Sequence, residues 1–123
     1  MGEVRSYRDL LVWQKGMDLA EAAYTLAKVL PKAEEYRLTS QLLRAAASVP
    51  ANIAEGNARA TRKDYAHFIS IARGSVAEVE TFLQLAVRVK LVTSDQASQA
   101  LALADELGRM LNVLRDRLSK NPD

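Results

Sequence analysis

The stretch YAHFISIARGSVAEVETFLQLAVRV, residues 65–89, decides the fold. Tyr65, Phe68, Ala72, Ser75, Val79, Phe82, Ala86 and Val89 recur at alternating steps of three and four, and Ile69, Val76 and Leu83 widen the same stripe. This is the period of an α-helix with one buried face, and it holds for about seven turns without a strand-like alternation. Downstream, Ala97, Ala100, Ala104, Leu107, Leu111, Leu114 and Leu118 repeat in the same way. Such spacing marks a core seam, and two seams of this length call for partner helices to cover them.

The partners lie upstream, and three short interruptions separate them. Pro31 to Leu38 is the first, where Pro31 stops one helix and Thr39 is placed to cap the next. Gly56 to Thr61 is the second, with Gly56 as a C-terminal stop and Thr61 to Asp64 at capping-box-like spacing. Lys90 to Ser94 is the third, where Thr93 and Gln96 have the spacing of a full capping box. The predicted helices therefore cover residues near 8–30, 39–56, 62–90 and 94–119. Short links between long helices make neighbours antiparallel, so the expectation is one all-α domain over residues 1–123, an up-and-down four-helix bundle.

Composition excludes several other classes. The 123 residues are 49% hydrophobic and 26% charged, which suits a single globular core. Cysteine is absent, so neither disulfides nor thiolate metal sites hold the chain, and a reducing cytoplasm is the expected location. No apolar run approaches the ~18 residues of a membrane span. The net charge of +2 is distributed unevenly: residues 1–63 carry ten basic and seven acidic side chains, residues 64–123 seven and eight. An anionic partner is therefore expected to meet the first half.

Helix one carries two apolar stripes. Leu10, Trp13, Met17, Ala20, Tyr24 and Ala27 form the first; Val12, Leu19, Ala23, Leu26 and Leu30 form the second. A helix in a lone bundle needs only one, so the surplus face is covered either by the N-terminal arm or by another subunit. The expected subunit interface is Val12, Leu19, Ala23 and Leu26, together with Leu43, Ala47 and Ala54 from the alanine-rich side of helix two.

Helix two also holds the least ordinary chemistry, around Pro50, Asn52, Glu55 and Gly56. A proline there removes the donor to Ala46 and predicts a kink. Asn52 and Glu55 either settle the backbone groups so released or form a ligand site. In helix three, mid-helix Gly74 costs about 1 kcal/mol against alanine, and close helix approach is the expected reason. Arg62 and Arg73 are eleven residues apart and share a face along which a phosphate backbone could run. Adding Arg8, Lys15, Arg44, Arg59 and Lys63 gives the candidate nucleic-acid-binding set.

Catalytic constellations are missing. His67 is the sole histidine, and Asp64 with His67 makes only half of a carboxylate-x-x-His metal site. No metal, cofactor or enzymatic activity is expected.

The segments Tyr7 to Lys15, Leu38 to Ala46 running into Val49 to Gly56, and Phe68 to Ser75 resemble the bacterial four-helix bundle proteins, also called ribosomal RNA intervening-sequence proteins. The resemblance implies a homopentameric ring with no established enzymatic activity. The founding members are encoded in insertions within large-subunit ribosomal RNA genes. A more distant relative, the accessory variability protein of diversity-generating retroelements, forms a basic pentameric barrel that binds a reverse transcriptase and nucleic acid. Two positions depart from the pattern: Arg37 stands where glycine is usual, and Leu43 where a basic residue often precedes the one matching Arg44. The expected function is weak RNA or DNA binding by the ring, RNA being favoured. The alternative is a scaffold that docks a partner protein without nucleic acid.

Overall fold

The computed structural model describes residues 6–120, and among them there are helices and no strands. A 3-10 turn at Tyr7–Asp9 precedes α1 (Leu11–Ala27); α2 (Ser40–Asn57), α3 (Arg62–Arg88) and α4 (Ser94–Lys120) follow. Each helix packs on the one before it, and α4 closes on α1, which makes a four-helix bundle whose sparsest seam lies between α1 and α4. Helix one starts later and ends earlier than its periodicity suggests, because Leu10 is extended and Lys28–Leu30 form a tight turn before Pro31.

Both seams read from the sequence face the core, except at Val89, which is 53% exposed where α3 ends. Ile69, Val76, Val79, Leu83, Leu107 and Leu111 are fully buried. Around them sit buried alanines from all four helices, among them Ala23, Ala46, Ala72 and Ala104. Small side chains at these points let the helix axes approach closely. One polar contact crosses the interior, where the Ser48 hydroxyl meets both the Ala45 carbonyl and the Ser75 hydroxyl.

The caps divide into two kinds. Thr93 and Gln96 form the reciprocal box: the Gln96 N–H donates to Thr93 Oγ1 at 3.0 Å and the Thr93 N–H to Gln96 Oε1 at 2.9 Å. Thr61 Oγ1 likewise accepts from the Asp64 N–H at 3.1 Å. Before α4, α3 ends in a Schellman motif with Lys90 left-handed at φ 66°, where the Leu91 N–H returns to Ala86 O and the Lys90 N–H to Val87 O. Thr39, by contrast, does not cap. The chain enters α2 across a kink at Arg37 (φ −117°, ψ −109°), so Thr39 beyond it is already helical and its buried Oγ1 has no partner among the described residues.

The glycines correct two expectations. Gly56 is not a stop with left-handed backbone; it lies inside α2, which continues to Asn57. A Cβ there would stand 2.8 Å from Phe68 Cβ and 3.1 Å from the Tyr65 ring, so the missing side chain is what lets α2 and α3 meet. Gly74 is the reverse case, exposed on α3 with nothing within 4 Å of an added Cβ, and close approach within the chain does not explain it.

Pro50 sits within an uninterrupted α2 and is buried against Gly16 of α1, where a Cβ would meet its Cα and Cβ at 3.5 Å. Asn52 Nδ2 donates to the Ser48 carbonyl at 2.7 Å, one turn back along α2, and not to the Ala46 carbonyl that Pro50 leaves without its helical donor. Glu55 does not serve that carbonyl either: it is exposed and pairs with Arg59 at 2.7 Å. Asn52→Ala should therefore lower stability by about 1 kcal/mol. Glu55→Ala should change it by about 0.5 kcal/mol or less, as exposed pairs do. Thermal melts of the two variants check the contrast.

Candidate functional site

In an up-and-down bundle, the end of α2, the start of α3 and the end of α4 meet at one pole, beside the turn that leads into α1. The sequence places cations on every one of these segments. Arg8 lies before α1, Arg59 after α2, Arg62 and Lys63 at the start of α3, and Arg115, Arg117 and Lys120 in the last turns of α4. Asp9, Glu55, Asp64 and Asp116 offset only part of this charge.

Lys63, His67 and Ser70 of α3 face Arg115 and Ser119 of α4 across a shallow cleft floored by Ala66 and Leu118. The His67 ring packs edge-on to Phe68, with centroids 5.6 Å apart. The Arg59 guanidinium lies 4.6 Å above the other side of this small cluster, on the Phe68 ring, while pairing with Glu55. Arg62 Nη2 reaches across to the Arg117 carbonyl at 3.1 Å, which ties α3 to the end of α4. Tyr65 lines a separate hollow, with Leu10, Met110 and Arg117. Burial raises its hydroxyl above the ordinary tyrosine range and a hydrogen bond with Asn57 partly opposes this, so the group stays neutral at physiological pH. The arrangement offers cations, hydroxyls and one imidazole to an anion.

Three predicted cations fall elsewhere. Lys15 Nζ is bound to Glu106 Oε1 at 2.9 Å and ties α1 to α4. Arg44 is exposed on α2 in a small hollow with Gln41, Ser48, Glu78 and Phe82. Arg73 turns its head onto α4, where a Cβ on Gly108 would stand 3.1 Å from its guanidinium carbon, and Glu80 is 3.9 Å away. The face shared by Arg62 and Arg73 is therefore the α3–α4 seam and not an open phosphate track. Arg115, Arg117 and Lys120 were the residues missing from the sequence-derived set. Their signal was topological, since a fourth antiparallel helix must bring its C-terminus back to the start of the third.

The predicted subunit interface also needs correction. Val12, Leu19, Ala23 and Leu26 lie in the core of the chain itself, at 9%, 0%, 0% and 7% exposure. Because α1 is flanked by both α2 and α4, this stripe is the one that points between them. The outward stripe is the other one, with Met17 at 46% and Tyr24 at 52% exposure. Tyr7 of the N-terminal turn covers part of it, packing edge-on to Trp13 with centroids 5.2 Å apart. Ala47 is exposed and Ala54 half-buried, and with Ala51, Pro50, Trp13, Met17 and Ala20 they line an open apolar groove between α1 and α2. Leu43 is half-buried against the core. No described helix is long and apolar enough to cross a membrane.

Comparison with known proteins places this geometry. A family model described as 23S rRNA-intervening sequence protein matches residues 8–113. A crystal structure of a protein with unknown function from the S23 ribosomal protein family of Bacteroides thetaiotaomicron superposes with a TM-score of 0.80 at 26% identity, over 85% of this chain and 98% of that one. No curated protein matches significantly.

Proposed function

Since the chain belongs to the 23S rRNA-intervening sequence protein family, we propose that it works without catalysis, as a cytoplasmic homo-oligomer that holds RNA at the basic pole of each bundle. The observation that carries this reading is the meeting of Arg59, Arg62, Lys63, Arg115, Arg117 and Lys120 from three helix termini at one end of the molecule. Charges scattered over 60 residues of sequence are brought to one end of the bundle, Lys63 beside Arg115 in one cleft and Arg62 against the Arg117 backbone, and a phosphate backbone is the polyanion that such an end fits. That end has one exposed imidazole and no array of exposed aromatic rings, so it reads backbone charge and not base identity. Each bundle's contact is weak, and several copies in one assembly raise the avidity without any new contact.

The test is RNA binding against salt with the triple variant Lys63→Ala/Arg115→Ala/Arg117→Ala. If three phosphates are contacted, wild-type affinity should fall about 20- to 40-fold between 50 and 200 mM NaCl. The triple variant should bind far more weakly at low salt and lose most of that slope. A Lys32→Ala control at the opposite pole should behave like wild type. Equal affinity of the triple variant and wild type would refute the reading.

A further inference from the structure

At the pole opposite the basic one, the second half of α1 and the first half of α4 border a groove with an apolar floor and a polar, acidic rim. Its floor is apolar: Ala22, Leu26, Ala100 and Leu103, with Val29 standing 52% exposed at the open end. Its rim is acidic and amidic, Asp18, Glu21 and Thr25 on α1 facing Gln96 and Gln99 on α4. No lysine or arginine lines it, and neither Asp18 nor Glu21 has an ion pair among the described residues. The Lys15–Glu106 bridge, 2.9 Å long, joins the same two helices.

We infer that this groove is a docking site for a cationic amphipathic helix of another protein. Apolar floor and acidic rim together select an occupant with one apolar face flanked by lysine or arginine. The walls are helices whose backbone groups are already bonded, so an added strand would find no partners, whereas a helix brings its own backbone hydrogen bonds and can set an apolar face on the floor with cations toward the rim. From Asp18 to Val29 the wall rises about 1.5 Å per residue, which accommodates roughly three turns of such a helix. Nucleic acid is repelled by the same carboxylates. The inference goes beyond the RNA reading and stands or falls without it, since the two sites lie at opposite poles and carry opposite charge.

The probe is a fluorescein-labelled 14-residue peptide of leucine and lysine patterned as an amphipathic helix, titrated with the full chain and followed by anisotropy. Saturable binding is expected, at least tenfold weaker for Asp18→Lys/Glu21→Lys and measurably weaker for Val29→Ser, with both variants retaining wild-type helicity. A serine and lysine peptide of equal charge should bind at least tenfold less well, because it has nothing to set on the floor. The proposal is overturned by no binding to wild type, by equal affinity for the two peptides, or by undiminished binding in the charge-reversal variant. It is also overturned if that variant alone lowers the mass of the wild-type assembly, which would place a second copy of this chain in the groove.

Discussion

Gly56→Ala should lower the melting midpoint by about 6–12 °C, whereas Gly74→Ala should raise it by about 3–6 °C. Gly74, in the middle of α3, gains ~1 kcal/mol of helix propensity as alanine, and Gly56, one residue from the end of α2, gains at most that much. They differ in what the new methyl group meets. At position 56 it would stand 2.8 Å from Phe68 Cβ and 3.3 Å from the Tyr65 carbonyl, and neither atom can rotate away. The helices must separate, and overpacking of this kind costs about 3 kcal/mol, which leaves a net loss of about 2 kcal/mol. At position 74 the methyl group meets nothing, so the propensity gain is all that remains. Differential scanning calorimetry of the two variants checks the opposed signs. A stabilised Gly56→Ala would show that α2 and α3 are not in the close contact described.

Ala51→Glu is expected to leave the chain folded and to break the assembly. Ala51 is exposed in the α1–α2 groove, and glutamate is a good helix former, so the isolated bundle should change by about 0.5 kcal/mol or less. In an oligomer that covers this groove, the same carboxylate would be buried beside Trp13 and Met17 without a partner. An uncompensated charge there costs at least about 3 kcal/mol per interface, a weakening of roughly 150-fold or more. Light scattering should then report a mass near the 13.6 kDa of one chain, against about five times that for wild type if the family resemblance extends to subunit number. Monomeric wild type would refute the assembly reading, and an intact Ala51→Glu oligomer would move the interface off this groove.

The legible part of the fold was whatever repeats or caps locally. The periods of Tyr65 to Val89 and Ala97 to Leu118, and the capping box of Thr93 with Gln96, carry their meaning in residues a turn apart. The misread parts depended on distance in sequence. A helical wheel shows that α1 has two apolar stripes, but not which one α2 and α4 enclose, and so Val12, Leu19, Ala23 and Leu26 were assigned outward. The sequence casts Gly56 as a helix stop and Gly74 as the point of close approach, whereas the close approach is at Gly56, because what decides it is a side chain of another helix. The basic pole was half legible. Arg59, Arg62 and Lys63 cluster in the sequence, while Arg115 and Arg117 join them only through the return of α4, and Arg73 leaves them by folding onto Gly108.

The order of helices in the bundle also bears on time. Every helix packs on its predecessor, and of the main seams between the four long helices only that of α1 with α4 joins the two ends of the chain, and it is the most sparsely packed. Chains with such local connectivity fold in microseconds to milliseconds, because little loop-closure entropy is lost before contacts form. Subunit association is slower and depends on concentration. In refolding from denaturant, recovery of helical ellipticity should therefore be complete before Trp13, which borders the α1–α2 groove, reports burial by a second, concentration-dependent fluorescence change.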